Sequence, residues 1–249
     1  MMAMARTVAA ESLDRLDADD PTAVRSRRDL RRLHRVMGTR SILLHALSGW
    51  APALQTSARL RILELGAGDG SLMLGVARSI APAWPPVELT LLDRRSLVSE
   101  ETTASFADLG WTAVASVADV FAWAATQNCT RSPPGASAPW DLIVANLFMH
   151  HFAGAQLASL LGAIAVGSDR FLACEPRRGR LALAGSHLVG ALGANAVTRD
   201  DAVLSVRAGF RGTELTTAWP PPVGTRWHLR EQRAGLFSHV FSALRGGAI

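Results

Sequence analysis

The sequence predicts an α/β fold: a seven-stranded, mostly parallel sheet with an antiparallel last strand, preceded by an amino-terminal helical cap. Two observations predict the sheet. Short apolar runs recur along the chain with helical patterns between them, each run ending in a polar residue, and the first run leads directly into a glycine-rich turn. The runs are residues 60–65, 87–93, 114–119, 140–146 and 171–175. Such runs are typical of buried parallel strands, whose carboxyl ends meet at one sheet edge.

The glycine-rich turn, residues 66–70, has glycine at alternate positions and lies directly before a helical pattern that begins at Ser71. Glycine lets the chain turn sharply and lets a ligand lie against bare backbone. A strand, a glycine turn and a helix together form the floor of a nucleoside-type cofactor site. The dinucleotide fingerprint Gly-x-Gly-x-x-Gly requires a glycine where Ser71 stands, so a nicotinamide cofactor is the weaker candidate.

Polar side chains end the strands that follow. Asp93 ends the second strand, where a carboxylate can accept hydrogen bonds from ribose hydroxyls. Asp119 ends the third strand and can accept from an adenine amino group, while Asn146 and Glu175 end the fourth and fifth. The sequence therefore predicts ligand-binding groups along one sheet edge.

Two further strands are predicted near the carboxyl terminus, at residues 213–219 and 236–244. Parallel strands need a crossover long enough for a helix, and we find none between these two. We therefore expect them to pair with each other in antiparallel fashion.

These motifs resemble those of the class I S-adenosylmethionine-dependent methyltransferases, over roughly residues 56–249. The resemblance implies a Rossmann-like fold and S-adenosyl-L-methionine as cofactor. It implies that the cofactor site contains an acidic residue followed by the glycine motif, and an acid that binds the ribose. It also implies residues that contact the adenine and the methionine part of the cofactor. In chain order these residues are Glu64, Gly66, Ala67, Gly68, Gly70, Asp93, Arg94, Asp119, Val120 and Asn146. Arg94 departs from the family, many members of which have an apolar residue there.

The segment after the fourth strand, residues 146–152, lacks the prolines of nucleic-acid amino methyltransferases. It is similar to bacterial small-molecule methyltransferases that act on phenols, quinone precursors or sugars and commonly carry a histidine pair here. An imidazole can accept the proton of a phenol as the new bond forms. His151 is the first candidate base and His150 the second, with Glu175 orienting the histidine. The alternative is a histidine that only shapes the pocket. No separate acidic metal cluster is evident, so we expect a metal-independent reaction.

The predicted function is methyl transfer to a small apolar acceptor, with O-methylation of a phenolic or secondary-metabolite hydroxyl favoured. Carbon methylation of a quinone-type ring and a non-catalytic cofactor-binding subunit are the alternatives. RNA methylation is a third option, motivated by the arginines at positions 27–35. Nucleic acid is not favoured, because all 26 basic residues of the 249-residue chain are arginine, which indicates a coding bias.

Residues 1–55 are predicted to form the cap, separate from a methyltransferase domain at 56–249. Asp20 and Gly38 are suited to the start and end of a helix whose stripe Leu30, Leu33 and Met37 faces inward. Its arginine face is solvated, or the cap is a lid, or the arginines contact an anionic membrane or an acidic partner. We expect no signal peptide and no transmembrane segment, and therefore a cytoplasmic, bacterial protein of open oligomeric state.

Residues 181–194 are almost wholly apolar but rich in glycine. This composition and length do not predict a transmembrane helix. The segment is either a core helix beneath the cap or the wall of an acceptor pocket suited to aromatic or alkyl-chain substrates.

Overall fold

A computed structural model describes residues 4–129, 138–220 and 226–246. Its strands are β1 (Leu60–Leu65), β2 (Val87–Asp93), β3 (Trp111–Val117), β4 (Leu142–Asn146), β5 (Arg170–Pro176), β6 (Trp227–Ala234) and β7 (Ser238–Arg245). They form one seven-stranded sheet in the order β3-β2-β1-β4-β5-β7-β6. The first five strands are parallel, and β7 runs antiparallel to both β5 and β6. The predicted fold class is confirmed.

The helices are α1 (Pro21–Met37), α2 (Thr39–Ser48), α3 (Ala51–Leu54), α4 (Ser71–Ile80), α5 (Glu100–Ala107), α6 (Val120–Cys129), α7 (Gly154–Gly167), α8 (Arg180–His187), α9 (Ala196–Ala208) and α10 (Glu214–Ala218). Short 3-10 turns cover Leu13–Arg15, Ala81–Ala83, Met149–His151 and Val189–Leu192. Within the described parts of the chain, we find no helix long and apolar enough to cross a membrane.

The sheet is buried on both faces, which explains why its central strands are continuous apolar runs. On one face Leu60 and Ile62 of β1 pack in a core with α2 and α4; on the other, Leu63 and Leu65 pack with α7. Helix α2, which lies within the predicted cap, contributes to the first core through Leu43 and Leu47. This packing on both faces fixes the carboxyl edge of the sheet, where the strand-end polar residues lie.

Helix α1 has the predicted bounds, but its predicted inward stripe is not part of the core. Asp20 accepts from the backbone N–H groups of residues 22 and 23, and Gly38 ends the helix at φ 67°. The buried positions are instead Ala23, Ser26 and Asp29. Ser26 and Asp29 hydrogen-bond Asn195, so polar contacts seat α1 against the start of α9. The stripe remains half-buried and faces a cavity.

The prediction of a strand at residues 213–219 is wrong. Residues 214–218 form α10, and the antiparallel partner of β7 is β6. Glu231 on β6 accepts from the backbone N–H groups of Leu215 (3.1 Å) and Thr216 (2.7 Å). Leu215 and Trp219, four residues apart, are buried together. These tertiary contacts outweigh the β propensity of the threonines in the segment.

Candidate active site

The glycine turn brings bare backbone close to two neighbouring elements. Gly66, Gly68 and Gly70 all have positive φ, between 57° and 73°. The Gly68 N–H donates to Asp93 Oδ2 at 2.9 Å, which ties the turn to the end of β2. A Cβ on Gly66 would lie 2.3 Å from the Phe148 ring, so only glycine fits at position 66. Ala67, between Gly66 and Gly68, lines an adjacent cavity.

Asp93 at the end of β2 and Asp119 after β3 line the same cavity. Asp93, Arg94, Asp119 and Val120 line a space of about 230 Å³, together with Gly66. Asp119 accepts from backbone N–H groups at the start of α6, the nearer at 2.8 Å. Arg94 forms an ion pair with Asp14 at 2.9 Å. We call this space the β2–β3 lobe.

Two buried acceptors lie unpartnered in the neighbouring lobe of about 190 Å³, which we call the β1–β4 lobe. Glu64 Oε2 and Asn146 Oδ1 are buried without a hydrogen-bond partner. Burial, with a smaller effect of the charges on Asp69 and Asp93, raises the pKa of Glu64 to about 8. Unsatisfied buried polar atoms are costly, so this pair is poised for a ligand with donors or positive charge.

The loop after β4 begins with a strained residue. Leu147 has φ 48°, the sole positive φ of a non-glycine residue in the described ranges. Its N–H donates to the Cys174 carbonyl on β5 at 2.9 Å. A branched side chain in this region costs on the order of 1–3 kcal/mol, and such strain is concentrated at functional sites. Leu147 lines both lobes.

Glu175 fixes the loop and one of its histidines. Its carboxylate is fully buried and accepts from the backbone N–H groups of Phe148, Met149 and His150 at 2.9 to 3.3 Å. His150 Nδ1 lies 2.8 Å from Glu175 Oε2, and Nε2 lies 3.3 Å from Glu11 Oε1. Burial lowers the pKa of His150, but hydrogen bonds to Glu11 and Glu175 outweigh it and raise this pKa to about 9. His150 is therefore an imidazolium at neutral pH.

His151 lies beside His150 but has the opposite character. Its ring lines both lobes and is 22% exposed, and its Nδ1 is 3.6 Å from Asp14 Oδ2. Burial and the positive charge of His150 lower the pKa of His151 below its ordinary value. At neutral pH this imidazole carries a lone pair and can accept a proton.

An amino-terminal strap, residues 4–15, crosses the sheet edge above both histidines, and sequence reasoning did not find its contacts. Arg6 donates to the carbonyls of Ala208 and Phe152, at 2.7 and 2.8 Å. Asp201 on α9 accepts from the backbone N–H groups of Ser12 and Leu13. No local pattern around Glu11 or Asp14 marks a residue that will meet a loop far along the chain.

The strap also completes a set of metal-ligand residue types. Ligand atoms of Glu11, His150 and His151 lie within 4.8 Å of one another. Both ring nitrogens of His150 already face carboxylates, one from Glu175 and one from Glu11. This surrounding favours a protonated imidazole over a metal ligand.

A third, apolar cavity of about 390 Å³ adjoins the β1–β4 lobe. Leu30 and Leu147 line both spaces, as does Ser205. Leu147 thus borders all three cavities, and His151 stands where the two lobes meet. The β2–β3 lobe suits the sugar-like end of a ligand, the β1–β4 lobe suits a charged end, and the third cavity suits an apolar compound.

The fold matches solved methyltransferase structures. The plantazolicin methyltransferase BpumL in complex with SAH superposes with a TM-score of 0.53 and 12% sequence identity, covering 91% of each chain. BpumL with a pentazolic desmethylPZN analog and SAH gives 0.55 and 13%, covering 90% of this chain and 91% of that chain. No family model and no curated protein matches the sequence. The likeness confirms the Rossmann-like methyltransferase fold.

The glycine turn gives a first prediction. Gly66→Ala and Gly68→Ala both place a side chain at positive φ, but only the Gly66 Cβ meets another group. We expect Gly68→Ala to lower the free energy of unfolding by about 1–2 kcal/mol, and Gly66→Ala by at least about 1 kcal/mol more. Denaturant unfolding measures both. In a Phe148→Ala background the difference between the two should vanish; a difference that persists would refute the proposed contact.

His150 gives a second prediction, on stability. Its folded pKa of about 9 lies above the ordinary 6.5, so its contribution is fully present below pH 6.5 and is lost as pH rises through 9. The shift corresponds to about 3 kcal/mol. Unfolding free energies measured from pH 6 to 9.5 should decline more steeply for the wild type than for His150→Gln. Parallel curves would show that the pKa of His150 is not raised in the folded state.

Proposed function

We propose that the protein is an S-adenosylmethionine-dependent methyltransferase that methylates a hydroxyl of a small, apolar acceptor. The observation that carries this proposal is that three cavities meet at Leu147, and that His151 lines two of them. The β2–β3 lobe offers carboxylates, the β1–β4 lobe offers unpartnered acceptors, and the third cavity is apolar. The fold match to an enzyme crystallised with SAH supports the same cofactor class.

The residues present fit this cofactor. The β2–β3 lobe would hold the nucleoside, with Asp93 accepting from ribose hydroxyls and Asp119 beside the base. The backbone of the glycine turn would lie against its centre. In the β1–β4 lobe, Glu64 and Asn146 would accept from the amino group of the methionine part, which supplies the donors that they lack. When bound, S-adenosylmethionine supplies an electrophilic methyl group.

His151 is the general base of the proposal. A phenolic hydroxyl is largely neutral at pH 7, so its proton must leave as the oxygen forms its bond to the methyl carbon. His151 borders both lobes and is neutral at that pH, so its lone pair can take the proton. Its neutrality depends partly on the charge of the adjacent ring.

His150 and Glu175 act as positioning residues. Glu175 holds the loop by its backbone and holds His150 by Nδ1. The imidazolium of His150 lies with its centroid 4.3 Å from that of His151, so its positive charge also favours the oxyanion that forms when the acceptor loses its proton. His150 cannot serve as the base because its proton is held at neutral pH by two carboxylates.

The direct test is incubation with methyl-labelled S-adenosylmethionine and a panel of phenols and quinols. Transfer of label to any acceptor supports the activity, and NMR of the product tells an oxygen-bound methyl from a carbon-bound one. Tight binding of SAH, measured by calorimetry, without transfer to any acceptor would favour the non-catalytic subunit.

Glu64 gives a third prediction. Its pKa of about 8 keeps the carboxyl mostly protonated at pH 7, and a bound ammonium group would favour the ionised form. Binding of SAH should therefore release up to about one proton and strengthen as pH rises from 6 to 8. Calorimetry in buffers of different ionisation enthalpy measures the proton release. Glu64→Gln, which mimics the protonated form, should lose that release; equal release by both proteins would contradict the assignment.

The base gives a fourth prediction. His151→Gln should lower kcat by about 10²–10⁴-fold while leaving SAH affinity within about threefold, because the loss falls on proton transfer. The pKa of His151 is lowered, so wild-type kcat/KM for the acceptor, measured at saturating S-adenosylmethionine, should fall with acidity only below about pH 6.5. His187→Gln, on the exposed face of α8, is the matched control and should leave kcat and SAH affinity unchanged. A loss of less than tenfold would leave His151 a role in shaping the pocket alone.

A further inference from the structure

The third cavity, which we call the apolar chamber, lies between α1, α8 and α9 and the Val189–Leu192 turn. Its volume is about 390 Å³. Its walls include the α1 stripe and small or aliphatic residues of the other elements: Leu30, Leu33, Met37, Ala182, Val189 and Val206. The stripe of α1 and the apolar segment at 181–194 therefore face the same space.

The polar side chains that the described structure places in the chamber wall are already bonded to the protein. Thr198 Oγ1 donates to Asp29, and Ser186 Oγ donates to the Leu183 carbonyl at 2.8 Å. Asp201 accepts from the strap, and Ser205 Oγ bonds Glu11 and the Asp201 carbonyl. A sugar or another polar group placed here would lose its hydrogen bonds to water without replacement. The chamber therefore suits an aliphatic occupant.

The chamber adjoins the β1–β4 lobe on one side and reaches the protein surface on the other. On one side it shares Leu30 and Leu147 with the β1–β4 lobe, next to His151. On the other side three of its wall residues are exposed to solvent: Val36 by 59%, Leu188 by 67% and Leu192 by 43%. A space that extends from the border of the lobe to an apolar rim can accept a chain of variable length, whereas a compact ring would fill only its inner end.

We propose, on the basis of the proposed function, that the acceptor carries an unbranched aliphatic tail held in the apolar chamber. The hydroxyl-bearing head then lies at His151, and tail burial supplies much of the affinity. Each buried methylene strengthens binding by about fourfold until the chamber is filled. The enzyme selects amphipathic hydroxyl compounds over tail-free ones of the same head group.

A homologous series tests this proposal on the wild-type protein. The probes are 4-methyl-, 4-propyl-, 4-hexyl- and 4-nonylphenol, with kcat/KM measured with S-adenosylmethionine and Kd measured by calorimetry in the presence of SAH. Both should improve by about fourfold per added methylene and then level off. Methylation without chain-length dependence in either measurement would overturn the chamber proposal, as would tighter binding of 4-phenylphenol than of both longer alkylphenols.

The two measurements also separate this proposal from the proposed function. If Kd falls with chain length but no phenol is methylated, the chamber stands and the proposed methylation of phenols fails. If 4-methylphenol is methylated as well as 4-nonylphenol, the activity stands and the chamber proposal fails.

A filling substitution gives the fifth prediction. Ala202 on α9 lines the chamber and is half-buried, so a phenyl ring at this position would occupy the space of several methylenes. Ala202→Phe should reduce the ratio of kcat/KM for 4-nonylphenol to that for 4-methylphenol by at least about tenfold. Ala104→Phe adds the same ring to an exposed helical position on α5 and should retain the wild-type ratio. An unchanged ratio in Ala202→Phe would overturn the proposal.

Discussion

The buried carboxylate of Glu175 is the interaction on which the rest of the site depends. It lies fully buried at the end of β5 and accepts from three consecutive backbone N–H groups and from the His150 ring. A carboxylate at such depth is tolerated only when hydrogen bonds and positive charge compensate for the lost water. The loop after β4 supplies both. The same contacts that stabilise the carboxylate therefore set the path of the loop and hold Leu147 in its strained conformation.

The strap extends this network to the chamber. Glu11 hydrogen-bonds both His150 on the loop and Ser205 on α9, whose side chain faces the chamber. The Glu11 carboxylate thus links the loop after β4 to the wall of the apolar chamber. The contacts of the strap are mainly hydrogen bonds and ion pairs, whereas the sheet is held by a continuous apolar core. Because segments with little apolar burial open at lower free energy, we expect the strap to open more readily than the sheet.

The features that could be predicted from the sequence are those that depend on interactions between residues close together in the chain. Parallel strands buried on both faces have a recognisable apolar pattern, so the sheet and the acids at its edge could be predicted from the sequence. The contact of Glu11 with His150 joins residues 139 positions apart and leaves no periodic trace. The helix at residues 214–218 depends on Glu231 of a later strand. The apolar stripe of α1 was expected to face inward for a different reason: an apolar face has the same period whether protein or ligand covers it.

The histidine pair shows how adjacent residues of one type acquire opposite proton affinities. A 3-10 turn places both rings side by side, yet one ring lies between two carboxylates and the other faces the cleft. The carboxylates keep the proton on His150, and its charge in turn keeps the proton off His151. Titratable neighbours whose environments separate their pKa values commonly divide acid and base roles. In the proposed reaction this division would supply a fixed positive charge and a free base within one loop, so no residue outside that loop would have to approach the acceptor oxygen.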